Sequence, residues 1–210
     1  MSTKDHSAVA VILAGGQSRR MKGANKALLP LAGVPLIQHA VDRLTDQVDK
    51  ILISAPGPNP EFPAGYPVIA DPIEGFVGPL AGILGAMRWS QAEGSEDYVL
   101  SIAVDTPFFP HDLLARFLAR LPEEKNCPVI ARSEKGLHPT FGLWPVSLAD
   151  ELEAFLLNGN RKMRSWAEQQ QCVYCDFAPM QLGPQTVDPF FNINHSDDLH
   201  LAEKMCSALH

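Results

Sequence analysis

Residues 9–26 read VAVILAGGQSRRMKGANK, and the reading of this stretch decides the fold. The apolar, partly β-branched run Val9–Leu13 predicts a buried strand. It stops at Ala14-Gly15-Gly16, after which Arg19, Arg20, Lys22 and Lys26 follow with no acid among them. Glycine lacks Cβ and tolerates positive φ, so backbone leaving such a strand can approach a ligand and aim its N–H groups outward. Four cations behind that loop suit a polyanion, and a triphosphate is the expected one. The cluster is positive inside a chain of net charge −7, so it is not a by-product of composition.

Outward from this strand, helical and extended patterns alternate. Helices are expected at Pro35–Leu44, whose Leu36, Ile37, Ala40, Val41 and Leu44 form one apolar stripe, and at Gly82–Ser90, Pro110–Leu121, Leu148–Leu157 and Ser196–Ala208. Ser196 is read as the cap of the last, ahead of two aspartates. Strands are expected at Lys50–Ser54, Pro67–Ala70, Tyr98–Val104, Cys127–Ala131, Thr140–Trp144 and Cys172–Phe177. The Pro- and Gly-rich stretches Ala55–Tyr66 and Phe177–Pro189 read as surface loops. This alternation implies an α/β fold, a single three-layer αβα domain over residues 1–210 with a mostly parallel sheet.

Composition narrows the function. At 46% hydrophobic and 20% charged residues the chain can bury a sizeable core and does not resemble a disordered one. The acidic balance argues against nucleic acid and anionic membrane as partners, because both need a basic face. No apolar run approaches the roughly 18 residues of a membrane helix. The first 16 residues carry one Lys and a short apolar stretch, so no leader is expected and the expected home is the cytoplasm. Cys127, Cys172, Cys175 and Cys206 are too few for a disulfide framework. Cys172 and Cys175 form a CxxC, but in a strand i and i+3 face opposite sides, and zinc would lack two further ligands.

Ligands of open α/β sheets sit at the carboxyl ends of the strands. There the sequence places Gly15 and Gly16, Ser54, Asp71, and Asp105 after YVLSIAV. A carboxylate in that position suits Mg2+, which takes one or two carboxylates plus phosphate oxygens and water. It equally suits a turn ahead of Pro107 and Pro110 with Thr106 as cap.

Residues 13–39, LAGGQSRRMKGANKALLPLAGVPLIQH, resemble the LAGGxSxRMGxxDKxLLxLxGxPLIxH signature of the molybdenum cofactor guanylyltransferases. The resemblance continues in order through GPLAGI (Gly78–Ile83), DTPFFP (Asp105–Pro110), HPTFGLW (His138–Trp144), GNRKMRSW (Gly159–Trp166) and FFNINHSDDL (Phe190–Leu199), so it spans nearly the whole chain. It implies a Rossmann-like nucleotidyltransferase fold, with GTP bound by the N-terminal part and molybdopterin by the C-terminal part. The implied reaction moves GMP from GTP to the terminal phosphate of molybdopterin and releases pyrophosphate. Mg2+ is the implied cofactor, and transient contacts with cofactor-delivery proteins and acceptor molybdoenzymes are implied partners.

The resemblance also assigns roles. Leu13, Ala14, Gly15, Gly16, Lys26, Ser54, Asp71, Gly78, Pro79, Leu80, Gly82 and Asp105 are expected around the nucleotide. Lys26, Arg20 and Asp105 are expected to be catalytic, with Asp105 on the metal. Arg20, Gly23, His138, Arg161, Asn192 and Asn194 are expected to meet the acceptor, with Lys162 and Arg164 completing a basic patch. His138 has a second reading, in which it merely shapes the entry to its strand. An ionised phosphate is the nucleophile of such a transfer, so no Ser-His-Asp set is required, and the work left is alignment and charge neutralisation.

Two positions depart from the pattern: Asn25 stands where the signature has Asp, and Lys22 where it has Gly. Other readings remain, namely a cytidylyltransferase on the same pterin, a sugar-1-phosphate nucleotidyltransferase, and a non-catalytic adaptor that binds nucleotide and hands on cofactor.

Overall fold

A computed structural model describes residues 6–15, 25–73, 78–93, 96–123, 126–183 and 185–207. The chain runs β1 (Ala8–Leu13), a 3₁₀ turn (Lys26–Leu28), β2 (Pro30–Leu31), β3 (Val34–Pro35), α1 (Leu36–Thr45), β4 (Lys50–Ser54), β5 (Val68–Ile69), α2 (Pro79–Glu93) and β6 (Tyr98–Ala103). It continues with α3 (Leu113–Leu118), β7 (Val129–Ser133), β8 (Gly136–Pro145), a second 3₁₀ turn (Val146–Leu148), α4 (Ala149–Leu157), α5 (Met163–Gln169), β9 (Val173–Asp176), β10 (Met180–Leu182), β11 (Gln185–Val187) and α6 (Ser196–Ser207).

Seven strands form the central sheet in the order β5-β4-β1-β6-β8-β7-β9. All run parallel except β8, which opposes both β6 and β7. The chain leaves β1 toward β4 and β5, then crosses back to add β6 on the other side of β1, which makes the carboxyl end of β1 a switch point. Alternate residues of β1 divide the core: Ala10 and Ile12 pack with α1, α3 and α6, while Val9 and Val11 pack with α2, α4 and α5. The helices thus cover both faces, as the alternating pattern requires.

Several expectations change at the level of elements. Pro35 lies just before α1, and α2 begins three residues earlier than its apolar pattern, at Pro79, where a missing N–H costs nothing. The helix expected at Pro110–Leu121 is only six residues long. The loop expected at Phe177–Pro189 contains the hairpin β10–β11, whose Leu182 and Val187 are buried on the α1 face. Strands of three residues around Gly183, at φ +58°, carry too little alternation to stand out from a breaker-rich stretch. Helix α5 was hidden by its charges, yet its Met163, Trp166 and Ala167 repeat at i, i+3, i+4 and are all buried.

Strand β8 is longer than the expected Thr140–Trp144 because Pro139 sits at an irregularity. Ile130 pairs with Gly142 while Ala131 pairs with His138, so the residues between are bulged and the missing proline N–H breaks no ladder bond. Among the cysteines, Cys175 packs in the α1-side core and Cys172 against the α2-side core, and no disulfide joins any of the four. The two sulfurs of the CxxC are thus on opposite faces of the sheet. Among the described residues no helix is long and apolar enough to cross a membrane.

Candidate active site

The parallel register of β1 with β4 and β6 sets Leu13 beside Ser54 and Ala103, so three strand ends meet at one edge. Beyond the ladder, Ala14 donates its N–H to Ser54 O at 2.9 Å, carrying the pairing one residue into the loop. Among the described residues, a Cβ added to Gly15 would meet nothing closer than 3.8 Å, which is ordinary contact. Gly16, Arg19, Arg20, Lys22 and Gly23 lie outside the described residues, so the expectations placed on them are neither met nor overturned.

Lys26 opens the 3₁₀ turn, and its ammonium is the hub of the site. Its Nζ donates to Asp105 Oδ2 at 2.5 Å and to Asn194 Oδ1 at 3.0 Å, joining positions 79 and 168 residues away. The side chains of Lys26 and Asp105 are 14% and 19% exposed, so the pair is shielded on most sides yet reachable from solvent. An ammonium has three donors, and contacts among the described residues use two of them.

Asp105 is held by more than its carboxylate. Its backbone oxygen accepts the N–H of buried Ile193 at 2.9 Å, which seats the 192–194 segment against the end of β6. Thr106, 2% exposed, turns the chain by donating its N–H to Ala103 O, and its hydroxyl lies 3.4 Å from Asp105 Oδ1. The turn expected at this aspartate is present, and its carboxylate still points to Lys26. Asn194 and Asn192 are exposed on either side of Ile193.

Asn25, the departure from the signature, does not touch Lys26 through its side chain. Its Oδ1 accepts the N–H of Ala27 at 3.1 Å and caps the turn that carries Lys26. At the other end of the segment, Ser196 is not the cap it was expected to be. Asp198 Oδ2 accepts the N–H groups of both Asn194 and His195 at 2.8 Å, the backward reach of an acid in the first turn. The spacing of an acid three residues after His195 was the available signal, and the nearer serine masked it.

The nucleotide residues expected around this edge divide in two. Ser54 is buried, and α2 comes so close that a Cβ on Gly82 would fall 2.3 Å from Ser54 Oγ and 2.9 Å from Leu13 Cδ2. Gly82 is thus held to glycine by packing, and Leu80, 1% exposed, belongs to the α2-side core. Gly78 and Pro79 are exposed at the start of α2, and Asp71 is exposed just past β5. Loss of hydration nonetheless raises the Asp71 carboxyl above the ordinary aspartate value.

The described residues expected to meet the acceptor lie on β8, at the start of α5 and around Ile193. The amino end of antiparallel β8 lies beside the carboxyl end of β6, which brings His138 there. His138 is half-buried, stacks on Phe190 at 4.5 Å between centroids, and sits 2.8 Å from Ser133 Oγ. Arg161 and Lys162 are exposed ahead of α5, while Arg164 is paired with Glu168 at 2.7 Å on the helix surface. Among the described residues no group of three His, Cys, Asp or Glu side chains converges on one point. The Asp105 carboxylate and the Asn194 amide oxygen share the Lys26 ammonium.

The family profile described as MobA-like NTP transferase domain matches residues 10–173. Similar proteins include the molybdenum cofactor guanylyltransferase of Mesorhizobium japonicum, 39% identical over 201 residues that cover 95% of this chain and 96% of the relative. The molybdenum cofactor guanylyltransferase of Rhizobium meliloti is 41% identical, covering 92% and 89%. Among solved structures, molybdopterin-guanine dinucleotide biosynthesis protein A from Archaeoglobus fulgidus superposes with a TM-score of 0.72 at 25% identity, covering 95% and 98%. The 2-C-methyl-D-erythritol 4-phosphate cytidylyltransferase of Thermus thermophilus shares the fold, with a TM-score of 0.62 at 16% identity, covering 94% and 98%. Likeness of this degree along nearly the whole sequence, and not only in the glycine loop, makes this chain a nucleotidyltransferase of the molybdenum cofactor guanylyltransferase family.

Proposed function

We propose that this chain transfers GMP from GTP to the terminal phosphate of molybdopterin. A phosphate oxygen of the acceptor attacks the α-phosphorus of GTP, the bond to the β-phosphate breaks, and pyrophosphate leaves. The product is the guanine dinucleotide form of the molybdenum cofactor. Residues 1–210 act as one transferase domain, in the cytoplasm, with the nucleotide over the ends of β1 and β4 and the pterin toward β8 and the 192–194 segment.

The observation that carries this reading is the ammonium of Lys26, held between Asp105 and Asn194 where β1 and β6 end. The two anions of the reaction repel as they approach, and a cation fixed between rigid elements offsets that repulsion without reorganising at the moment of transfer. Lys26 is supported by the capped turn behind it, and its third N–H suits a phosphate oxygen. Ala14 and Gly15 follow the end of β1, and among the described residues a Cβ at Gly15 would meet nothing closer than 3.8 Å, which suits a ligand against that backbone.

The oxygen donors present fit Mg2+, because Asp105 contributes a carboxylate and Asn194 an amide oxygen to the same hydrogen-bond shell. When bound by them, Mg2+ supplies charge neutralisation and a template for the phosphates. The contacts with delivery and acceptor proteins belong to this proposal as well.

The test is pyrophosphate release by the purified chain with molybdopterin and either GTP, CTP or ATP, in Mg2+ or in excess chelator. Release with GTP and Mg2+ alone is expected. Preference for CTP would replace guanine by cytosine in the reading. Binding of GTP with no release in the presence of pterin would make the chain an adaptor, and undiminished release in chelator would remove the metal.

A further inference from the structure

Ser133 ends β7, and its hydroxyl donates to Asp188 Oδ2. The same oxygen accepts the Lys135 N–H at 3.1 Å and lies 2.8 Å from His138 Nε2. A serine hydroxyl carries one proton, and here that proton is committed to Asp188. The contact with His138 therefore needs a proton on Nε2, which leaves the neutral ring with its lone pair on Nδ1.

The same aspartate reaches the catalytic segment. Asp188 Oδ1 accepts the N–H of Phe190 at 2.8 Å, and the Phe190 ring lies on His138 with 29° between planes. Phe190 also meets Phe141, centroids 4.8 Å apart, and three residues farther on Ile193 bonds the backbone of Asp105. One hydroxyl thus joins the β7–β8 hairpin to the segment that presents Asn194 to Lys26.

We propose that Ser133 and Asp188 are positioning residues that hold His138 as its Nε2–H tautomer at the edge of the transfer site, so that Nδ1 accepts a hydrogen bond from an N–H or O–H group of the acceptor substrate. The inference rests on the transfer proposed above and assigns part of its acceptor specificity. A pterin ring has N–H donors along its edge, and a histidine free to exchange tautomers would offer them a donor as readily as an acceptor. Partial burial holds the imidazole below its ordinary value, opposed in part by the charge of Asp188, so at neutral pH the ring stays uncharged. Ser133 and Asp188 act only through His138 and the 188–194 segment.

The test reads the tautomer directly, from long-range proton–nitrogen correlations of the full chain carrying ¹⁵N-histidine, with His138 assigned by His138→Gln. The wild-type chain is expected to show a protonated Nε2 and an unprotonated Nδ1, a result that needs no variant to fold. Ser133→Ala is expected to mix the tautomers, whereas Asp188→Asn, which keeps an acceptor oxygen, preserves the wild-type pattern. In kinetics Ser133→Ala should raise KM for molybdopterin by roughly 3–10-fold, the worth of one hydrogen bond, with GTP affinity unchanged. A protonated Nδ1 in the wild-type chain overturns the inference, as does a Ser133→Ala variant that leaves KM unaltered or weakens GTP and pterin in parallel. A wild-type chain that transfers no GMP overturns the proposed function and this inference together; transfer that is indifferent to Ser133 overturns the inference alone.

Discussion

Asp105 has two attachments that can be separated, and that makes it the informative residue. Its backbone oxygen anchors Ile193 and its carboxylate holds Lys26. Replacing Asp105 by Ala removes only the second, so the circular dichroism spectrum should be unchanged while kcat falls by roughly 10²-fold or more, the scale of a lost charge-stabilising group. Asn25 is the opposite case. Because its side chain caps the turn and an aspartate caps equally well, Asn25→Asp should change turnover by less than about tenfold, or 1.4 kcal/mol in the barrier. A larger gain in steady-state rate would show that the missing charge, not the cap, governs Lys26.

At the scale of elements, the site depends on how closely helices approach strand ends. Gly82→Ala should add about 1 kcal/mol of helix propensity. Against this, the new Cβ would sit 2.3 Å from Ser54 Oγ and 3.0 Å from Ser54 Cβ, and relieving such overlap costs about 1–3 kcal/mol. The overlap wins because Leu13, at 2.9 Å, blocks retreat on the other side, so denaturant unfolding should show net loss of stability and calorimetry weaker GTP binding. For α6, Asp198→Ala removes the acceptor of two N–H groups, including that of Asn194. It should cost about 1 kcal/mol, a fall of about 2–4 °C in Tm for a chain of this size. Turnover should fall as well, because the lost cap frees the residue that shares Lys26 with Asp105. Unaltered kcat in Asp198→Ala would show that Asn194 needs no support from the helix.

Across the whole molecule, pH acts through groups whose environment changes on folding. Burial depresses His138 in the folded state, so the unfolded chain binds its proton more readily. The corresponding stability is complete above the ordinary histidine value of about 6.5 and is lost as pH falls through it toward the folded value. Denaturation midpoints measured between about pH 5 and pH 8 should therefore decline on the acid side, and His138→Gln should flatten that decline. The charged group facing His138 is Asp188, whose Coulombic effect opposes the shift and keeps the slope shallow.

The sequence by itself determined the layering of this protein and singled out the residues proposed for its site. Val9–Leu13 and the apolar stripe of α1 follow directly from side-chain periodicity, and Gly15, Lys26, Asp105 and Asn194 stand in motifs that can be read without coordinates. Those signals are local, since each depends on neighbours within one or two turns. What the tertiary structure alone decided is partnership: Lys26 meets Asp105 and Asn194 across 79 and 168 residues, Asp198 rather than Ser196 satisfies the start of α6, and Gly82 and Leu80 are fixed by close packing. The physical reason is that hydrogen bonds and close contacts are set by where strand register and helix approach place atoms in space. A sequence pattern specifies the faces that must be buried, and only the assembled sheet specifies which polar groups then come within reach of one another.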